Sequence, residues 1–264
     1  MSGWDDVRRW RKAERERLIV RRQALPQSER RRLQRVILDL VEHHFPELRG
    51  MRVGFYWPFR GEIGVHGLVR RLLERSARAA LPVVVEKRRP LEFWAWHSGD
   101  RLVRGVWDIP IPAAREIVQP DALLVPLVGF DAPGFRLGYG GGYYDRTLAA
   151  MDPKPLTIGL GYELGRLETI YPQPHDVPMD WVVSEAGVSR STAQCASSPV
   201  WDADPNGTGS YASPPCFMHE LDPSYVGLPS GAVPTSPTGA SDRECAPRAG
   251  GAAAADGRKT TDPE

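Results

Sequence analysis

The sequence predicts an α/β fold: an open, mostly parallel sheet flanked by helices in three layers. Three observations point there. Short β-branched runs alternate along the chain with segments of helical period. Residues 122–128 (ALLVPLV) are apolar throughout, the mark of a strand buried on both faces. The 264 residues, 41% hydrophobic and 25% charged, have the balance of a globular chain and exclude a collagen, a coiled-coil rod or a wholly disordered polymer.

Each element has a local reason. Residues 5–24 are good helix formers with no Gly or Pro before Pro26, and Ser28 is placed to cap a second helix. In that second segment Leu33, Val36, Ile37, Leu40, Val41 and Phe45 recur at helical spacing until Pro46 stops it. A strand at 51–57 (MRVGFYW), a helix through 61–80 and a strand at 81–85 (LPVVV) then form a β-α-β unit. Residues 91–97 alternate and place Trp94 and Trp96 on one side, at least one of them as core. After 122–128 and a glycine-rich turn come a helix at 143–151 and strands at 157–162 and 181–184. In such a sheet, ligands are expected beyond the carboxyl ends of the strands.

The chain divides by composition. From residue 191 to 264 it is Ser, Ala, Pro, Gly and Thr without period, with 4 basic against 9 acidic residues, and it reads as a disordered tail. All three cysteines, Cys195, Cys216 and Cys245, fall there, at spacings that fit neither a zinc site nor a disulfide framework. Residues 1–190 therefore hold an excess of six positive charges and enough length for one domain. There is no apolar run of about 18 residues, and no secretory or transit signal, so a cytoplasmic location is expected.

The segment that carries chemistry is 126–146, PLVGFDAPGFRLGYGGGYYDR. Gly138, Gly140, Gly141 and Gly142 lie between Arg136 and Asp145. Glycine loses the most entropy on folding, so such a cluster marks left-handed backbone or close approach to a ligand. Successive free N–H groups before a helix make a concave anion site suited to phosphate. Arg136 adds a fixed fork of donors, and Asp145 offers a hard oxygen for Mg²⁺. No Lys-Ser/Thr pair follows, as a Walker loop would require. A glycine-rich hairpin without a ligand is the structural alternative.

The run RLGYGGGYYDR closely resembles the signature of the 5-formyltetrahydrofolate cyclo-ligase family, also called methenyltetrahydrofolate synthetases. Further features line up in order: a basic helix (RKAERERLIVRR), a strand and loop ending in Glu (FYWPFRGEI), an Ile-Pro turn (GVWDIPIP) and an acidic turn before the last strand (PHDVPMDWVVSE). The resemblance covers about residues 8–188 and makes 1–190 a cyclo-ligase-like domain. It implies conversion of 5-formyltetrahydrofolate to 5,10-methenyltetrahydrofolate with ATP and Mg²⁺, releasing ADP and phosphate, with no covalent protein nucleophile. Its ATP-binding positions are matched by Arg11, Lys12, Arg15, Arg136, Leu137, Gly138, Tyr139, Gly140, Gly141, Gly142, Tyr143 and Tyr144. Folate contacts fall at Trp57, Glu62, Tyr139, Gly140, Gly141, Gly142 and Tyr143, with Glu62 holding the pterin through two N–H donors. Asp145 and Asp176 match its Mg²⁺ positions. The partners implied are ATP and 5-formyltetrahydrofolate, polyglutamated forms included, on a monomer that needs neither nucleic acid nor membrane.

Two departures stand. Arg11 occupies the place four before Arg15 where the family has Lys, and Lys12 is one place off. The family's Gln near Gly165 is missing from ELGRLETIYPQP, which keeps open a related ATP-binding enzyme acting on another small molecule. A nucleic-acid module using the eight basic residues between Arg8 and Arg22 is the reading from another class, opposed by the interleaved Glu14 and Glu16. His43 and His44 read as helix-end residues and Asp180 as a turn or capping group. His175 fits either a support for Asp176 or a plain turn residue.

Overall fold

A computed structural model describes residues 3–193. The expected tail and its three cysteines lie outside the described residues, apart from positions 191–193. Helices α1 (Trp4–Ala24) and α2 (Gln27–His44) open the chain. Strand β1 (Arg52–Gly54), helix α3 (His66–Leu73), β2 (Arg78–Val83) and β3 (Glu92–Trp96) follow. The short strands β4 (Leu102–Arg104) and β5 (Pro110–Pro112) pair with each other. Next come β6 (Ala122–Pro126), the hairpin of β7 (Gly129–Phe130) and β8 (Arg136–Leu137), helix α4 (Tyr143–Ala150), β9 (Leu156–Leu160), β10 (Trp181–Ser184) and β11 (Gly187–Arg190).

Seven strands form one sheet in the order β11-β10-β9-β6-β1-β2-β3. The five inner strands are parallel, and the edges β3 and β11 are antiparallel. This is the α/β architecture the sequence predicts. Strand β6, buried along its first four residues, sits at the centre, as its unbroken apolar run requires. On one face α2 and α3 bury Leu33, Ile37, Val41, Leu68 and Leu72 against Val53, Leu124 and Ile158. On the other, Leu148 of α4 packs with Phe93, Leu123, Val125 and Met179. Truncating a fully buried residue such as Ile37 to Ala would cost about 2–5 kcal/mol, a large part of a domain's stability.

Local preference lost to tertiary pairing at one place. The helix expected through 61–80 is confined to His66–Leu73, and the expected strand at 81–85 starts earlier, at Arg78. Gly61 (φ +79°) keeps the approach to α3 irregular, and Ser76 (φ +68°) ends the turn that follows it. Arg78 N then donates to Met51 O, locking Ala79 and Ala80 opposite Val53 and Gly54 in the middle of the sheet. Two good helix formers thus become strand residues, because a central sheet position outweighs a few tenths of a kcal/mol of propensity. Helix α2 also starts differently from expectation. Pro26 precedes its first residue and its carbonyl accepts from Arg30 N (2.9 Å), with Ser28 inside the first turn.

At the other end of the domain, Ser191 is buried, its N donates to Asp180 O (2.9 Å) and its hydroxyl donates to Pro133 O. Packing therefore continues past the last strand. Trp94 is fully buried as core, whereas Trp96 is only partly covered. Among the described residues no helix is long and apolar enough to cross a membrane.

Candidate active site

The chain leaves β1 toward β2 on one side and leaves β6 toward β9 on the other. The carboxyl ends of these adjacent strands therefore form a topological switch point, where a crevice opens. A cavity of about 520 Å³ lies there. Tyr56, Trp57 and Glu62 enter it after β1, Pro82 and Val84 from the end of β2, Pro126 from β6, and the whole glycine-rich loop from below α4. Helix α1 closes it. Its buried residues are Val7, Arg11, Leu18, Ile19 and Arg22, an apolar register interrupted by two arginines, so this face meets both core and polar site.

The loop has the backbone its composition demands. Gly140 has φ +93° and Gly142, the residue before α4, has φ +60°, a region that side-chain-bearing residues adopt at a cost of about 1–2 kcal/mol. A Cβ on Gly140 would sit 3.3 Å from Arg15 Cζ. Arg15 lies against the loop because its Nε donates to Gly138 O (2.7 Å). From the other side Arg146 Nη2 donates to Gly141 O (2.5 Å), and its guanidinium stands 5.2 Å from the Tyr143 ring centre. Two arginines thus fix the loop carbonyls and hold its curve.

Arg136 is buried, donating from Nη1 to Val177 O (2.7 Å), with Nη2 2.9 Å from Asp145 Oδ1. Nη2 nonetheless makes no well-aligned hydrogen bond, so the pair is held by charge more than by geometry. Asp145 Oδ1 also accepts from Val177 N (3.1 Å). Asp176 is bound to Arg11 (Nη2 to Oδ2, 2.5 Å) and accepts from Gln173 N (2.7 Å). Both expected metal carboxylates therefore reach the cavity wall, each carrying a guanidinium partner. Among the described residues no three His, Cys, Asp or Glu side chains cluster as a ready-made cation cage.

The other end of the cavity is built around Glu62. Its Oε2 accepts from Phe59 N (2.9 Å), and the Tyr139 hydroxyl is a second partner. Burial pushes the Glu62 carboxyl up to about 7, although Arg22 and these two hydrogen bonds pull the other way. Arg22 is buried and donates to Tyr139 Oη (2.7 Å), Arg60 O (3.2 Å) and Leu127 O (3.3 Å). Burial likewise raises the Tyr139 and Tyr144 hydroxyls, which stay protonated. Trp57 stands beside Glu62 in the cavity wall, its ring edge-on to His66 at 4.4 Å.

The basic residues of α1 have separate destinations. Arg11 donates from Nε to Ile170 O (3.0 Å) and from Nη2 to Tyr171 O (2.9 Å) besides its bond to Asp176, so it is clamped to the 170–176 loop while it also lines the cavity. Lys12 is exposed and lines the cavity with Arg8 and Arg15. Arg9 and Arg17 pair with Asp6 and Glu14 along the helix, and Arg9 also reaches the cavity wall. Asp180 ties the start of β9 to β10, its Oδ2 accepting from Thr157 N (2.7 Å) and Oγ1 (2.8 Å). His43 and His44 are exposed at the end of α2. His175 faces the Trp4 ring. Sequence reasoning missed Arg22 and Arg146. The signal for Arg22 was available: it occupies the register of Leu18 and Ile19, where a solvated arginine does not belong.

Fold and site together define an α/β enzyme with a glycine-rich loop lining a cavity at the switch point of its sheet. The model of the 5-formyltetrahydrofolate cyclo-ligase family matches residues 7–185, and the chain belongs to that family. The 5-formyltetrahydrofolate cyclo-ligase of Escherichia coli K12 is 29% identical over 175 residues, 64% of this chain and 96% of that protein. The Mycolicibacterium smegmatis protein of the same name is 34% identical over 148 residues, 52% of this chain and 75% of that one. The solved structure of Aquifex aeolicus 5,10-methenyltetrahydrofolate synthetase superposes with a TM-score of 0.61 at 28% identity, covering 74% of this chain and 98% of that one.

Proposed function

We propose that this protein cyclises 5-formyltetrahydrofolate to 5,10-methenyltetrahydrofolate with ATP and Mg²⁺, releasing ADP and phosphate. One observation carries the reading: a single loop serves both ends of the cavity. Its Tyr139 side chain joins Arg22 and Glu62, while the backbone at Gly138 and Gly140 lies against Arg15. A reaction between two bound molecules gains most from such a shared, rigid platform.

The chemistry fits those groups. The formyl oxygen attacks the γ-phosphorus as the bond to the β-phosphate oxygen breaks, and ADP departs. N10 then attacks the formyl carbon and loses its proton. The carbon–oxygen bond breaks with phosphate as the leaving group, where oxide would be a poor one. Loop N–H groups, Arg15 and Lys12 neutralise charge on the transferring phosphoryl group. Glu62, once ionised, accepts two N–H donors of the pterin edge, with Tyr139 and Arg22 fixing its position. Tyr56, Trp57, Val84 and Leu91 line the cavity and exclude water that would hydrolyse the activated formyl group.

The residues fit Mg²⁺ in the manner usual for nucleotide sites, one or two carboxylates completed by phosphate oxygens and water. Asp145 would hold it, since its carboxylate reaches the cavity wall beside the glycine-rich loop, with Oδ1 fixed by Arg136 and Val177 N. Asp176 stands beside it in the wall. When bound, the ion would offset charge on the β- and γ-phosphates. The test is direct: purified protein, 5-formyltetrahydrofolate, ATP and Mg²⁺ should give the near-ultraviolet absorbance of the methenyl product. No rise at saturating substrates rejects the activity.

A further inference from the structure

We infer that Trp4 is the platform on which the purine base of the nucleotide stacks, at the outer end of the cavity. This rests on the reading of the cavity as a nucleotide site. Trp4, Arg8, Lys12 and Arg15 all line it, and at this spacing they form one stripe along α1. The helix rises 1.5 Å per residue, so Trp4 stands about 16 Å from Arg15 along its axis. Arg15 marks the phosphate end through its contact with the glycine loop. Arg22, a further two turns along, marks the pterin end through Tyr139. The order along α1 is then pterin, phosphates, nucleoside, and only Trp4 offers an aromatic surface where the base would arrive from this helix.

Trp4 is prepared for that role by an independent set of contacts. Among the described residues the exposed large apolar side chains are Trp4, Val20 and Ile117, and Trp4 alone of these lies in the cavity, with 37% of its surface open. It is not loose. The His175 ring meets it edge-on at 5.9 Å and 89°, and Arg11 Cζ lies 5.9 Å from its centre. Arg11 is itself clamped to Asp176 and to the carbonyls of Ile170 and Tyr171, so the 170–176 loop fixes the indole. A held, half-open indole on one stripe with Lys12 and Arg15, its neighbour Arg8 paired with Asp5, has the make-up of a stacking site for a base that trails phosphates.

The test measures equilibrium binding of a non-hydrolysable ATP analogue and the matching CTP analogue to the full chain, with the KM for each nucleotide alongside. Trp4→Ala should weaken the ATP analogue about 5- to 20-fold, and should weaken the CTP analogue less, because a purine stacks over more area. Trp4→Phe should restore most of the loss. An Ala variant that binds the ATP analogue as tightly as the parent overturns the platform while leaving the nucleotide reading in place. Equal losses for both analogues also overturn it, assigning Trp4 to the support of Arg11. A parent protein that binds neither analogue removes the nucleotide reading and this inference together.

Discussion

Glu62→Gln is the most informative single change, because it should stabilise the protein while damaging its function. In the unfolded chain this carboxyl ionises near 4.5, whereas burial in the cavity wall raises it to about 7. Between those values the folded state holds a proton that the unfolded state has released. Stability due to this group is therefore full below pH 4.5, falls as pH rises, and is lost above about 7. A separation of about 2.5 units is worth about 3 kcal/mol. The substituted amide carries no charge at any of these pH values and can still accept from Phe59 N. The melting temperatures of parent and variant should coincide near pH 4.5 and diverge to about 6–12 °C in favour of the variant above pH 7. On the proposed role of Glu62 the same variant loses a charged acceptor for the pterin, so its KM for 5-formyltetrahydrofolate should rise roughly 10- to 100-fold. Thermal melts across pH and initial rates at varied folate measure both. A difference in melting temperature that does not change with pH would show that the carboxyl is not held against its ionisation, and the account of Glu62 would fail.

Gly140→Ala places a side chain at φ +93° and 3.3 Å from Arg15 Cζ, so ATP affinity should drop about tenfold, read by nucleotide titration. Asp145→Asn removes the charge opposite buried Arg136. It should lower stability by about 3 kcal/mol and abolish Mg²⁺-dependent turnover; an Asn variant with parental melting temperature and parental Mg²⁺ dependence refutes the assigned role. Deleting residues 194–264 should preserve turnover and melting temperature, since the sheet domain closes through Ser191; a truncated protein that fails to fold contradicts the domain boundary.

Much of the fold was legible because its signals are local. The period of Leu33, Ile37 and Val41 specifies α2, and the apolar run at 122–126 specifies the central strand. Strand Trp181–Ser184 lies where its β-branched pair places it. The paired short strands β4, β5, β7, β8 and β11 carry no such signal, because two to four residues cannot show a period. The extent of α3 was also hidden, since Ala79 and Ala80 obey a partner strand more than their own preference.

The same division runs through the site. The glycines and the aromatic and charged residues around them are contiguous in sequence, so the loop, its left-handed turns and the family it belongs to were fixed by order alone. The destinations of the arginines were not. Arg11 and Lys12 are neighbours of like charge on the cavity wall, yet one is buried against Asp176, 165 positions away, and the other is exposed. Arg22 meets Tyr139 across 117 positions. Backbone preference travels only a few residues along a chain, whereas the partner of a charge is whatever the finished fold brings within about 3 Å of it.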